Sequence, residues 1–327
     1  MKTVLCYGDS NTYGYMPGTG NRYPKEQRWT GVLEKLLGSD YEIVEEGLNG
    51  RTMAFPRPGA PWKNGLDTIK PLIVSHKPVD ILVIMLGTND CGTDVEASLD
   101  DLKEAARSLV RAAKEVSLDY QGFIPKILLA APAPISPEFR SSPFSDKLDE
   151  ESVKKSCQIA RLQQEVAEEE GLLFMDAGKF VKVAEPDSEH LTKEGHEILG
   201  KEIAKIIIQS ELGTDAKTLI ALGNRLYYDD PIDFEMAAFC YKLAADMHDP
   251  EGQCLYGYSL RKGIGTEKNP EKAFELFRSS ADAGFAMAQY NVAYCLENGL
   301  GTDKDTAAAG EWYQKAKDNG YEEYLPV

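Results

Sequence analysis

Four short polar clusters carry the residue types that acyl-transfer chemistry needs: GDSN (8–11), NGRT (49–52), GTND (87–90) and DSEH (187–190). A serine hydroxyl such as that of Ser10 is a weak nucleophile at neutral pH. It needs a base within hydrogen-bond reach and a third group to orient that base. The chain has four histidines, at 76, 190, 196 and 248. His248 reads as a surface residue, His76 as a cation closing a helix, and His196 as a helical residue without an obvious partner. His190 differs, because Asp187 precedes it by three residues in a loop that can fold back and set a carboxylate on the ring's second nitrogen. An oxyanion also needs hydrogen-bond donors. Asn89 offers a side-chain amide, and Gly50 lets a backbone N–H approach a substrate where a Cβ would crowd it. Taken singly, each cluster reads better as an ordinary loop or turn rich in Gly, Asn and Asp.

The elements that must position these clusters are legible as apolar runs. Strands are expected at 2–7 (KTVLCY), 41–46 (YEIVEE), 80–86 (DILVIML), 126–131 (KILLAA) and 172–175 (LLFM). The runs at 80–86 and 126–131 are nearly continuous in apolar residues, as expected of parallel strands covered on both faces. Amphipathic helical patterns lie between and after them, near 27–37, 65–75, 96–117, 147–169 and 193–209. This alternation predicts a doubly wound three-layer α/β/α domain with a five-stranded parallel sheet in the flavodoxin-like order 2-1-3-4-5. In such a sheet ligands bind beyond the carboxyl ends of the strands, at the switch point between strands 1 and 3. All four polar clusters fall on loops at that edge, so jointly they read as one site.

Beyond about residue 212 the strand signal stops and the sequence repeats. GIGTEKNPEKAFELFRSSADAG (263–284) aligns with GLGTDKDTAAAGEWYQKAKDNG (299–320) at a shift of 36 residues. Ala273 falls on Ala309, Phe277 on Tyr313 and Gly284 on Gly320, and a shortened copy places Ala237, Tyr241 and Ala245 on Ala273, Phe277 and Ala281. Each unit reads as two helices with small residues at close-packed positions and aromatics filling the gaps, which predicts an all-α solenoid. We therefore expect two domains, 1–211 and 212–327, the second built of repeats at about 216–249, 250–285 and 286–321.

GDSN with Ser10, GLNG with Gly50, GTND with Asn89 and DSEH with Asp187 and His190 resemble, in order, the four blocks of the SGNH/GDSL hydrolases. The flanking QRWTGVL (27–33), EEGLNGRT (45–52), IMLGTND (84–90) and APAPISP (131–137) look most like the arylesterase and acyltransferase branch. The resemblance covers about residues 1–210 and implies a serine esterase. Ser10 would attack the carbonyl, His190 would carry the proton, and Asp187 would orient His190. The Ser10 N–H, the Gly50 N–H and the Asn89 side chain would form the oxyanion hole, with no metal or organic cofactor; Gly47 is the alternative donor, and Gly50 is preferred because the Arg-Thr that follows it fits the family pattern. Asn11 departs from the leucine that names the GDSL set. The segment 215–321 resembles Sel-one-like repeats, relatives of the tetratricopeptide repeat, and implies contact with a protein partner or a second copy of the chain.

Two Pro-rich loops are candidate pocket walls: RTMAFPRPGAPWKNG (51–65), with Phe55, Arg57 and Trp62, and APAPISPEFRSSPFSD (131–146). Narrow aromatic walls would favour a small acyl group such as acetyl. Acyl transfer or carbohydrate O-deacetylation would use the same triad. A repeat-based scaffold with an inactive hydrolase domain, a flavin-binding flavodoxin and metal-assisted hydrolysis through Asp187, His190 and His196 are the rival readings. The formal charge of −17 is shared by both halves, which disfavours nucleic acid and anionic lipid surfaces. No apolar run approaches the roughly 20 residues of a membrane span, and the N-terminal run lacks the pattern of a signal peptide. Six cysteines without a CxxC pair read as reduced thiols and point to the cytoplasm.

Overall fold

The computed structural model describes residues 1–57, 59–229 and 232–321. Pro58 of the 51–65 loop and the last six residues assigned to the repeat segment lie outside the described residues. The chain divides into two compact units, Met1–Ala204 and Lys205–Val327.

The first unit is a doubly wound α/β domain. Its strands are β1 (Lys2–Gly8), β2 (Tyr41–Gly47), β3 (Ile81–Met85), β4 (Lys126–Ala131) and β5 (Leu173–Asp176). They form one sheet in the order β2-β1-β3-β4-β5, with every pairing parallel. β3 is buried along its whole length, and β4 at all but its first residue. These are the two runs whose unbroken apolar character predicted cover on both faces.

The connecting helices are α1 (Ser10–Tyr13), α2 (Trp29–Leu37), α3 (Gly65–His76), α4 (Leu99–Gln121), α5 (Glu150–Glu170) and α6 (Lys193–Leu212), of which the part up to Ala204 belongs to this unit. Side chains alternate faces along a strand. Leu5, Tyr7, Leu82, Ile84, Ile127 and Leu129 therefore share one face, where they pack with Ile69 and Ile73 of α3, Leu109 of α4 and Ile159 of α5. Val4, Cys6, Val83 and Leu128 point the other way and are equally buried. Capping boxes start the two longest helices: Ser98 with Asp101 opens α4, and Asp149 with Ser152 opens α5.

Register places the site. Gly8 at the end of β1 pairs with Gly47 at the end of β2 and with Met85 at the end of β3. The loops that follow these strands therefore leave the sheet side by side.

The second unit consists of helices of equal length. They are α7 (Ala216–Tyr228), α8 (Phe234–Asp246), α9 (Pro250–Lys262), α10 (Pro270–Asp282), α11 (Ala286–Asn298) and α12 (Thr306–Asp318). Asp215, Asp233, Asp249, Asn269 and Asp305 cap five of them through side-chain oxygens. The repeated small and aromatic positions make the core: Ala273, Phe277 and Ala281 are buried, as are Ala237, Tyr241 and Ala245 in the copy before. Gly257 of α9 faces Phe277, whose ring would lie 2.9 Å from any added Cβ, which explains why that helix position is small. All six cysteines are unbridged, and five are buried.

Candidate active site

Ser10 is the first residue of α1, immediately after β1. Asp9 caps that short helix by accepting the Asn11 N–H at 2.9 Å. The first N–H groups of a helix have no partner within it, so the Ser10 N–H faces outward from the end of the strand. The Ser10 hydroxyl lies 2.9 Å from His190 Nε2, and His190 Nδ1 lies 2.7 Å from Asp187 Oδ1. Asp187 Oδ1 also accepts the backbone N–H groups of His190 (2.8 Å) and Glu189 (3.2 Å). All three side chains are buried. Burial pushes the Asp187 carboxyl up, but the hydrogen bonds and charge of His190 and the Glu189 N–H outweigh it and hold the group below the usual carboxylate range. The DSEH loop thus folds back as its spacing suggested, with Ser188 held at φ +71°.

Gly50 and Gly47 have different structural reasons for being glycine. Gly50 has φ +80°, a left-handed conformation that favours glycine. Its N–H donates to no acceptor among the described residues. Gly47 is needed for packing: a Cβ there would lie 2.0 Å from the Tyr13 N of α1. Asn89 opens the turn after β3, and its Nδ2 donates to Arg51 O at 3.2 Å and Asp9 Oδ2 at 3.4 Å. Both bonds are long, so they compete weakly with another acceptor.

The substrate-loop candidates divide. Arg57 Nη2 donates to the Asn89 carbonyl at 3.0 Å, and Nη1 pairs with Asp94 at 3.3 Å. Arg57 thereby straps the 51–65 loop to the turn that carries Asn89. Phe55 packs partly buried against the sheet core, whereas Trp62 is 58% exposed. Met53 N adds a second strap, donating to the buried Asp90 at 2.8 Å.

Several contacts at the site escaped the sequence reading. Asn11, itself buried, brackets His190: its Nδ2 donates to Glu189 O at 3.0 Å and its Oδ1 accepts the Leu191 N–H at 3.0 Å. The one available signal was that a polar Asn stands where an apolar leucine is usual. Tyr15 lies over His190 with ring centroids 4.2 Å apart and the rings tilted by 32°, and Phe144 meets the same imidazole edge-on at 5.4 Å. Phe144 comes from the second Pro-rich loop. Burial raises Asp9 to about 6, Asp90 to about 7 and the half-buried Glu189 to about 7. The site therefore collects carboxyls beyond the one that orients His190.

The other histidines serve elsewhere. His196 is fully buried, accepts the Trp29 N–H at 3.3 Å and meets Tyr23 edge-on. Burial pushes it down to about 3, so it stays neutral. His76 pairs with Glu46 at 2.8 Å as well as closing α3. Among the described residues no group of three or more His, Cys, Asp or Glu is disposed to hold a metal ion.

Five parallel strands in the order β2-β1-β3-β4-β5, with these loops at their carboxyl edge, make an SGNH-like α/β domain. The chain belongs to the GDSL-like Lipase/Acylhydrolase family, whose sequence pattern matches residues 6–198. The Sel1 repeat matches 216–249, 250–285 and 286–321. Among solved structures, the chain is similar to Est24, a carbohydrate acetylesterase from Sinorhizobium meliloti. The two are 31% identical with a TM-score of 0.61, over 64% of this chain and 100% of Est24. It is also similar to the aryl esterase of M. smegmatis, at 30% identity and a TM-score of 0.60 over 63% of this chain and 98% of that one. A putative arylesterase from Agrobacterium tumefaciens str. C58 is 32% identical, with a TM-score of 0.56 over 62% and 97%. No curated protein matches. The N-terminal domain is thus a hydrolase of esterase type, and the C-terminal helices are Sel1 repeats.

Proposed function

We propose that the protein is a serine esterase that cleaves short-chain, acetyl-type carboxylic esters through an acyl-Ser10 intermediate. The observation that carries this reading is the hydrogen-bonded series Ser10 Oγ, His190, Asp187, at 2.9 and 2.7 Å. In the first half-reaction Ser10 Oγ bonds to the carbonyl carbon while His190 Nε2 takes the hydroxyl proton. The carbonyl oxygen, now an oxyanion, accepts from the Ser10 N–H, the Gly50 N–H and the Asn89 amide. As the tetrahedral species collapses, His190 returns the proton to the departing alkoxide and the acyl group stays on Ser10. A water then repeats the sequence and releases the acid. Asp187 stays ionised and stabilises the imidazolium that forms in each half. Membership of an esterase-containing family and likeness to an aryl esterase and a carbohydrate acetylesterase support the reading.

We attribute the acyl preference to Tyr15 and Phe144, whose rings lie 4.2 and 5.4 Å from that of His190 and would bound the acyl site. The enzyme is expected to turn over p-nitrophenyl acetate faster than the octanoate ester, measured as kcat/KM. Equal rates would show that these rings do not bound the acyl site. We assign the exposed Trp62 to contact with the alcohol part, and Phe55 and Arg57 to the support of that wall. Carbohydrate O-deacetylation on the same triad is the second reading, favoured by the likeness to Est24; acyl transfer would need only an alcohol in place of water. The Sel1 repeats we assign to protein contact. The unbridged cysteines suit a reducing compartment such as the cytoplasm.

Asn11 carries a separate expectation. Asn11→Leu leaves the Glu189 carbonyl and the Leu191 N–H without their side-chain partner, which costs about 1–3 kcal/mol of stability. The base it brackets is then less well placed, and kcat should fall about 10- to 100-fold with KM little changed. Urea unfolding and steady-state kinetics check both. An unchanged kcat would show that Asp187 alone positions the imidazole.

A further inference from the structure

The repeat unit contains a pocket of about 340 Å³ whose lining is cationic, in a segment that is acidic overall. Beyond residue 210 the chain has 20 acidic and 11 basic residues. Yet Arg261, Lys262 and Lys268 converge on this pocket with a single carboxylate, Glu271, and with the apolar Tyr294 and Leu300. Arg261 lies in the last turn of α9. Its guanidinium carbon sits over the rings of Tyr294 (4.8 Å), Tyr258 (5.4 Å) and Phe277 (5.8 Å). These rings flank the guanidinium but give it no acceptor, and its Nε is buried with no hydrogen-bond partner. No ion pair to Arg261 is found among the described residues.

Repeat packing does not require an arginine here. The equivalent helical positions are Tyr227 in α7 and Glu297 in α11, and Glu297 accepts the Tyr313 hydroxyl at 2.9 Å. An aromatic-stacked, unpaired guanidinium is a planar fork preorganised for a carboxylate. The missing acceptor leaves a desolvated donor that a ligand would satisfy. The apolar Tyr294 and Leu300 suit the methylene groups and backbone of a peptide more than a small hydrated ion. The overall acidity of the chain disfavours long phosphate polymers.

We infer that this pocket binds a carboxylate on an acidic peptide segment of a protein partner. The inference rests on the reading that the repeats contact proteins, and it is independent of the esterase site. The test uses the full chain labelled with ¹⁵N-arginine. The Arg261 Nε–H signal is assigned by its loss in Arg261→Met, and the probes are a hexaglutamate peptide, a hexaglutamine peptide and inorganic phosphate. Hexaglutamate should shift that signal saturably with a Kd below about 1 mM, and hexaglutamine should leave it in place. Lys268→Gln, an exposed change, should weaken the peptide about two- to fivefold, which keeps the test informative if Arg261→Met folds poorly. Turnover of p-nitrophenyl acetate should be unaffected in both variants, so failure of the pocket and failure of the esterase reading are separate results. The inference is overturned if the signal stays fixed up to about 10 mM hexaglutamate, moves equally with hexaglutamine, or saturates with phosphate below the peptide concentration required.

Discussion

Replacing Ser10 by alanine should lower kcat/KM for p-nitrophenyl acetate by about four to six orders of magnitude and leave the fold intact. The Oγ of Ser10 has one strong side-chain partner, His190 Nε2 at 2.9 Å. Its removal would delete the atom proposed to form the acyl bond. The helix that carries residue 10 keeps its cap, because Asp9 binds the Asn11 N–H and not the serine side chain. The backbone bonds from Gly14 and Tyr15 to the carbonyl of residue 10 also survive. Stability should therefore change by no more than about 1 kcal/mol, checked by thermal unfolding beside the rate assay. Residual turnover would come from the oxyanion donors and binding alone. A variant with wild-type turnover would remove Ser10 from the chemistry.

Asp187→Asn should reduce kcat by about a thousandfold. Two effects are separable. In triads where the new amide turns its NH₂ toward the imidazole, the wrong tautomer results and the loss reaches about 10⁴-fold. Here Asp187 Oδ1 accepts two backbone N–H groups as well as His190 Nδ1. Turning the NH₂ to that position would set it against three donors, so the amide should keep its oxygen there and preserve the tautomer. What is lost is the negative charge beside the imidazolium that forms in each half-reaction. The loss should appear in kcat with KM nearly constant. A loss of less than tenfold would mean that the carboxylate only orients the ring.

The order of the sheet is legible in the sequence because burial on both faces leaves an unbroken apolar signature, as at 80–86 and 126–131, and because right-handed crossovers leave few alternatives. The repeats are legible because the small and aromatic residues recur at 36 residues, and a mismatch of size there would break the helix packing. Ser10, Gly50 and Asn89 are legible as one group because the loops after the neighbouring strands β1, β2 and β3 must leave the sheet together, whereas Asp187 and His190 follow the edge strand β5 and are legible through their three-residue spacing. The pairing of Gly8 with Gly47 and Met85 is the register behind that expectation.

The contacts that refine the site were not legible, for a different reason. Asn11 reaches Glu189 and Leu191 across some 180 residues of chain, and no local pattern encodes such a meeting. Tyr15 and Phe144 stand far apart in the sequence yet flank one imidazole. Arg57 was legible as a charge in a Pro-rich loop, but its hydrogen bond to the Asn89 carbonyl depends on how that loop closes. Local periodicity reports which face of an element is buried, whereas these contacts depend on where separate loops end.

We propose that Ser10 is an activated nucleophile. The most direct test is to treat the full-length protein with a fluorophosphonate at neutral pH and locate the adduct by peptide mass spectrometry. One stoichiometric adduct on Ser10 is expected, formed in step with loss of esterase activity and absent in the His190→Ala variant. Labelling at another residue, or inactivation with Ser10 unmodified, would contradict it.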